Sequence, residues 1–343
     1  MRSDEQRTTS KRFAFGFGFG SASRTMAGAS GGGAEHPNEP RNEWLNLVAL
    51  ALWLFSIHLN LLVVFIILCF LPNPWAISAL VLWLSQSLLP LYTDTPFANR
   101  VARFICKYAP THFPIETHIE DIDALDPKRA YVFAVEPHSV LPISIIALTK
   151  HYGLMPVKKM KALASSAIFW TPVLRHVWSW LGLVPASRKC YKDLLQDGYS
   201  TILIPGGVQE CLYLEYGHET IFLKKRFGFV RGAIEAGAPL VPCFCFGQSD
   251  VYHYWKPSGQ WYAHLSRAIG FTPLIFWGMY GTPIPYPNRM YLVVGKPIDV
   301  EKNSNPSHEQ ISEVLKKFVA AMEDLFEKHK LAAGYKDTTL TVR

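Results

Sequence analysis

Imidazole is the side chain whose proton affinity lies nearest neutral pH, so a positioned histidine can take the proton from a weak nucleophile as it attacks. His138 is the candidate for that role. It lies in Tyr131-Val132-Phe133-Ala134-Val135-Glu136-Pro137-His138-Ser139-Val140-Leu141-Pro142, where an apolar run stops at a carboxylate, a proline and the histidine. Such a run reads as a buried strand that delivers its last polar side chains to a sheet edge. A histidine taken at random from the 12 in this chain belongs to the surface or the core; the strand terminus is what singles this one out. Thr201-Ile202-Leu203-Ile204-Pro205-Gly206-Gly207-Val208-Gln209-Glu210 is the second constellation. Glycine has no side chain to exclude a ligand, so a strand breaking into Pro-Gly-Gly brings backbone amides close to where an oxyanion would develop. An ordinary turn has the same composition. The two stretches gain weight together, because parallel strands present their carboxyl ends at one edge. A serine hydrolase is disfavoured, since Gly247-Gln248-Ser249-Asp250-Val251 lacks the closing glycine of a nucleophile elbow.

The elements that must position these groups alternate along the chain. Strands are expected at 131 to 135, 201 to 204, 240 to 246 and 290 to 294, with helices near 158 to 180, 191 to 197 and 228 to 237. That alternation predicts an α/β fold with a largely parallel sheet flanked by helices. A closing helix follows Ser307-His308-Glu309-Gln310, with Ile311, Val314, Leu315, Phe318, Val319, Met322, Leu325 and Phe326 at helical spacing. Cys243 and Cys245 share one strand face, and none of the six cysteines has metal-ligand spacing, so neither a disulfide nor a metal site is expected.

From Trp44 to Thr93 the chain has no Lys, Arg, Asp or Glu. As helices, 44 to 71 would reach about 42 Å and 75 to 92 about 27 Å, against a bilayer core of about 30 Å. With Pro72-Asn73-Pro74 as the turn, the segment reads as a transmembrane helical hairpin. Arg41 before it and Arg100, Arg103 and Lys107 after it place both flanks in the cytosol by the positive-inside rule. The alternative is one tilted span followed by a buried core helix. His58 and Asn60 fall inside the first segment, as an interhelical bond or as a functional mark. Residues 1 to 43 read as a disordered tail rich in Gly and Ser, and 94 to 343 as a cytosol-facing domain with its own core. No cleavable secretory signal is apparent. The net charge of +7 gathers at Lys158, Lys159 and Lys161, at Arg188-Lys189 and at Lys224-Lys225-Arg226. Beside a membrane, these clusters fit anionic headgroups or a polyanionic cosubstrate such as coenzyme A, as well as a plain solvated surface. Nucleic acid is not expected, because no recognition motif accompanies the charge.

The order of motifs carries a resemblance. The His138 stretch, Leu183-Val184-Pro185-Ala186-Ser187-Arg188, the Pro-Gly-Gly loop, Ala238-Pro239-Leu240-Val241-Pro242 and Gly295-Lys296-Pro297-Ile298 together resemble the glycerolipid acyltransferases. Those enzymes pair the histidine with an aspartate after four intervening residues; here that position is Ile143. The residues around Pro205 and Gly206 also depart from the form used with glycerol phosphate, and the site looks suited to an uncharged acceptor. With Glu136-Pro137-His138-Ser139, Arg226-Phe227-Gly228-Phe229-Val230-Arg231 and Phe244 to Tyr252, the chain from about 44 to 330 closely resembles the plant-type diacylglycerol acyltransferase 2 family.

The resemblance implies a mixed sheet flanked by helices, preceded by the membrane hairpin, and acyl transfer from acyl-CoA to the free hydroxyl of diacylglycerol at the endoplasmic reticulum. It implies His138 and Glu136 as catalytic residues, and Pro137, Ser139, Pro205, Gly206, Gly207, Glu210 and Arg231 as substrate-binding ones. With Ile143 unable to orient the imidazole, Glu136 and Glu210 are the candidates for that task. Ser139 as an acylated nucleophile is less favoured than direct transfer, because neighbours on an extended strand point to opposite faces. No cofactor is implied beyond acyl-CoA as cosubstrate. Membrane lipid and a lipid-droplet surface are the implied surroundings, and a homo-oligomer is left open. Monoacylglycerol or a long-chain alcohol as acceptor, and a catalytically inactive lipid-droplet anchor, are the alternatives.

Overall fold

A computed structural model describes residues 42–343. Its helices begin with α1 (Glu43–Trp53), α2 (Phe55–Cys69), α3 (Pro74–Ser85) and α4 (Pro96–Tyr108). The strands that follow are β1 (Ile115–Ile119), β2 (Val132–Glu136) and β3 (Met160–Ala164). After α5 (Leu174–Trp180) come β4 (Leu183–Pro185), α6 (Arg188–Gln196), β5 (Ser200–Leu203), α7 (Gly207–Cys211), β6 (Glu219–Ile221) and α8 (Phe227–Ala236). The chain closes with β7 (Leu240–Phe246), β8 (His253–Trp255), α9 (Gln260–Ile269), β9 (Ile275–Trp277), β10 (Met290–Val294), α10 (His308–Ala333) and β11 (Leu340–Val342).

Seven strands form one sheet in the order β1-β10-β7-β2-β5-β3-β4. Every neighbouring pair is parallel except β10 with β7, so the sheet is mixed. β2 occupies the middle, with Phe133 opposite Ile202 of β5 on one side and Val241 of β7 on the other. Alternation along these strands divides two apolar layers. Phe133, Val135, Val241, Cys243 and Cys245 pack with α1, α4 and α5. Val132, Ala134, Leu240, Phe244 and Phe246 pack with α8 and α10 on the opposite face. Period-two side chains on a strand that is covered on both faces give this arrangement. α10 follows the expected start, with the Ser307 hydroxyl accepting from the Gln310 amide at 3.2 Å.

Two expectations are corrected. The stretch from 158 to 180 is not one helix: Met160–Ala164 enters the sheet as β3, parallel to β5 and β4, and only Leu174–Trp180 is α-helical. Met160 and Ala162 alternate inward while Lys161 between them stays partly exposed, a strand period hidden by its lysines. The run from 44 to 71 is not one continuous helix either. α1 and α2 meet at 58° about Leu54, α3 gives way to a 3₁₀ turn at Gln86–Leu88, and among the described residues no single helix is long and apolar enough to cross a membrane.

The reason for the bend is packing. Ala49, Leu50 and Trp53 of α1 lie in the same core as β2 and β7, whereas α2 and α3 leave Leu61, Phe65 and Trp75 exposed. The join is also tied to the domain by side chains. Trp178 Nε1 donates to the Trp53 carbonyl at 3.2 Å, and Asn60 Nδ2 donates to the Pro172 carbonyl at 2.8 Å. Arg175 donates to the carbonyls of Gln86 and Leu89 at 3.0 and 2.7 Å. Asn60 therefore bonds to the domain and not across a hairpin. The expected tail at 1 to 43 lies almost wholly outside the described residues.

Candidate active site

The carboxyl ends of β2, β5 and β7 meet at one edge of the sheet, and each delivers part of the site. β2 ends at Glu136, so Pro137, His138 and Ser139 follow directly. β5 runs through Ile204 and Pro205 into Gly206 and the short helix α7. β7 turns at Gly247, whose φ is +83° and whose missing β-carbon would lie 2.3 Å from the Arg289 carbonyl, so only glycine makes that turn. The turn sends Gln248 back under the His138 loop. There its Nε2 donates to the Pro137 carbonyl at 2.5 Å, and its Oε1 accepts from the Ser144 amide at 2.8 Å.

Glu210 ties α7 to the histidine loop by accepting from the backbone amide of His138 and, at 3.4 Å, from that of Phe222. Glu136 Oε1 accepts from the Gly206 amide at 3.0 Å. Arg226 donates to the Gly206 carbonyl and lies over the Phe222 ring at 5.2 Å. A β-carbon on Gly206 would fall 2.0 Å from Glu210 Oε2, so glycine is needed there for space. Gly207 has open space but a φ of +52°, so its requirement is conformational.

Glu136 and Glu210 are both buried and face each other. Burial, then the neighbouring Glu210 charge and a hydrogen bond with it, push the Glu136 carboxyl well above the usual carboxylate range; the Gly206 amide and Arg226 oppose them. Glu136 Oε2 meets no donor. A proton on Glu136 would remove the like-charge contact with Glu210, in keeping with the raised carboxyl.

Neither carboxylate reaches the imidazole. The ring nitrogen Nδ1 of His138 lies 2.9 Å from the carbonyl of Ser139 and 3.2 Å from Cys211 Sγ. This corrects the expectation that Glu136 or Glu210 orients the ring: the main chain does so, helped by a thiol. An Nδ1–H donated to that carbonyl leaves Nε2 as the basic nitrogen. Burial lowers the proton affinity of His138, but Cys211, by charge and by hydrogen bond, with the Ser139 carbonyl and Glu210, raises it to about 9. Cys211 supplies the largest of the raising effects.

Other expected residues fall as follows. Ser139 has φ +54° and is buried, its hydroxyl donating to the Gln248 carbonyl at 3.2 Å, which commits it to structure and not to nucleophilic attack. Pro137 and Pro205 are buried beside the loop. Ile143 is buried in the core within a 3₁₀ turn. Arg231 stands on α8 and makes no hydrogen bond to this cluster; Arg226, five residues earlier, is the arginine that does. The Gly206 amide, expected to receive an oxyanion, is already engaged by Glu136. Cys211, Gln248 and Arg226 were not singled out as site residues.

A diacylglycerol acyltransferase family profile matches residues 67–343. The chain belongs to that family. A diacylglycerol O-acyltransferase 2 of Dictyostelium discoideum is 29% identical over 327 residues, covering 88% of this chain and 96% of its own. A human 2-acylglycerol O-acyltransferase 3 is 32% identical over 63% of this chain and 69% of its own. A mouse acyl-CoA wax alcohol acyltransferase 2 is 30% identical over 69% and 78%. As a member of the family, the chain is an O-acyltransferase, and an inactive anchor protein is no longer the better description.

Proposed function

We propose that the chain transfers an acyl group from acyl-CoA to the free hydroxyl of diacylglycerol, forming triacylglycerol, with His138 as general base. The observation that carries this reading is the His138 ring, fixed at Nδ1 by its own backbone, in a loop whose next residues line an acidic recess at Ser139 and an apolar cleft at Leu141. The cleft is lined by Leu141, Pro142, Ile143, Trp53, Leu54 and Trp178, among others, and its walls are apolar, as an acyl chain requires. The recess is lined by Ser139, Glu219, Asp250, Tyr254 and Tyr335, among others. Burial pushes the Glu219 carboxyl up to about 8, with Asp250 and Glu210 adding to the effect and the Ser249 hydroxyl opposing it. Carboxyl and phenol groups exchange hydrogen bonds with a glyceride hydroxyl, while a phosphate would meet like charge there. An uncharged acceptor follows.

In the reaction, the acceptor oxygen attacks the thioester carbonyl as its proton passes to His138 Nε2. Collapse of the tetrahedral adduct breaks the C–S bond, and the imidazolium returns the proton to the departing thiolate of coenzyme A. With the Gly206 amide committed, the Gly207 amide is our candidate donor to the oxyanion. Lys224 and Lys225, next to Arg226, are candidates for the phosphates of acyl-CoA.

The charge-free surface of α2 and α3 supports a location in the endoplasmic reticulum membrane with both termini cytosolic, extending to the lipid-droplet surface. Monoacylglycerol or a long-chain alcohol is the second reading for the acceptor, favoured by relatives of similar identity that carry those names. Microsomes from a host lacking triacylglycerol synthesis, given labelled acyl-CoA and a panel of acceptors, test both. Labelled triacylglycerol made from diacylglycerol is expected; preferential labelling of diacylglycerol or wax ester would replace the acceptor, and no labelled product would reject acyl transfer.

A further inference from the structure

α9 is amphipathic in an unusual sense, because its apolar stripe lies along an exposed flank and not on the face packed against the protein. At 100° per residue its side chains fall into three sectors. Tyr262 and Ser266 face inward and are buried. Gln260, His264 and Arg267 form an exposed polar stripe. Between these two lies a third sector of Trp261, Leu265, Ala268 and Ile269, all exposed, with Trp261 at 61%, Leu265 at 41% and Ile269 at 47%. A water-facing helix places its aliphatic residues in the core; this one buries a serine and a tyrosine and shows solvent its leucine and isoleucine.

The exposed sector does not stand alone. Phe271 is 52% exposed, Ile275 of β9 62% and Trp255 of β8 56%. The ribbon adjoins α2, because the Phe276 ring of β9 meets His58 of α2 at 4.8 Å, edge to face. The Ser165 hydroxyl holds the Gly270 carbonyl, at the end of α9, at 3.0 Å. Exposed apolar residues of 55–92 and of 255–275 therefore belong to neighbouring elements. The second group includes the indoles of Trp255 and Trp261, with Arg267 on the polar stripe of α9, which is the composition of a segment lying at a lipid headgroup boundary.

We infer that α9, with the β8–β9 ribbon, is an interfacial element that lies in the surface of the bilayer, the partner being lipid and not a second protein. The inference deepens the proposed membrane-bound acyl transfer and rests on α2 and α3 being embedded. Its consequence is positional. The inner face of α9 packs on α7, which carries Glu210 and Cys211, so an embedded outer face leaves only α9 and the single turn of α7 between the lipid and His138.

The test uses the full-length chain with exposed Cys69 and half-buried Cys190 changed to serine, the remaining cysteines being buried. A bimane label is placed at Leu265→Cys, Ile269→Cys, His264→Cys or Arg267→Cys, and at Leu62→Cys in α2 as reference. In phosphatidylcholine vesicles containing doxyl-labelled lipid, strong quenching is expected at 265, 269 and 62, and at least about three-fold weaker quenching at 264 and 267. Equal quenching at all four α9 positions, or none at 265 and 269, would overturn the inference. Cross-linking from 265 to a second copy in place of lipid quenching would do the same. Quenching needs no turnover, so it stands or falls separately from the choice of acceptor. As a second readout, Leu265→Glu with Ile269→Glu should lower the rate on vesicle-borne dioleoylglycerol by about ten-fold. Activity on a short-chain diacylglycerol in detergent should stay within about two-fold. Equal loss on both would assign these residues to the fold and reject the interfacial role.

Discussion

Glu136 and Trp75 break the same rule in opposite directions: a carboxyl with no exposure at the centre of the sheet edge, and an indole 83% exposed on α3. Around Glu136 each departure is answered from within the chain. Glu210 takes the His138 and Phe222 amides, Gly206 and Arg226 answer Glu136, and Gln248 serves two backbone groups. Around Trp75, Leu61 and Leu82 no part of the described residues covers the exposed apolar surface. A polar cluster that is matched internally is built to hold geometry, and an apolar surface that is unmatched is built for a different solvent. Perturbing the first should therefore cost activity, and perturbing the second should cost location more than stability.

The largest effect is expected at the base. His138→Ala should lower turnover by about 10² to 10⁴ at unchanged protein level, read with labelled acyl-CoA in microsomes. Full activity would remove His138 from the mechanism. Gly206→Ala should follow, with a loss of about 10²-fold, because the new β-carbon displaces the Glu210 carboxylate that holds the loop. Gly207→Ala, which meets no atom, should lose less, and the reverse order would contradict the spatial argument.

Glu136→Gln sharpens the comparison further. A protonated Glu136 replaced by a neutral amide should retain activity within about ten-fold, whereas a loss matching His138→Ala would show that the carboxylate charge is required. Cys211→Ser should move the pH profile more than the maximal rate. With His138 as the proposed base and its proton affinity raised to about 9, activity should climb with pH toward that value. Removing the Cys211 sulfur lowers that affinity, and the acid limb should shift to lower pH. An unshifted limb would uncouple Cys211 from the ring. The smallest effect belongs to the exposed surface: Leu82→Ser should leave the thermal midpoint in detergent nearly unchanged, within about 0.5 kcal/mol of stability.

Much of this was legible in the sequence. The strands at 132, 200, 240 and 290 announced themselves as β-branched runs, and α10 by its cap and its stripe. β3 did not, because its lysines break the apolar run while the alternate positions carry the signal. The bend at Leu54 was invisible, since no proline or glycine marks it; it arises because α1 has a core to join and α2 has none. His138 and Gly206 were legible because strand ends expose chemistry. Cys211 and Gln248 were not, being 73 and 110 residues from His138 and meeting it only when three strands align. The sequence also pointed to side chains for orienting the ring, where the fold uses a carbonyl that every residue has.

That carbonyl has a consequence for how the enzyme can be dissected. The acceptor for His138 Nδ1 belongs to the backbone of Ser139, so replacing the serine side chain leaves it in place. The anchor of the His138 ring is thus silent to any scan of the twenty amino acids. It answers only to main-chain chemistry. An ester in place of the amide that joins residues 139 and 140, made by semisynthesis, would weaken the carbonyl as an acceptor while leaving every side chain as it is.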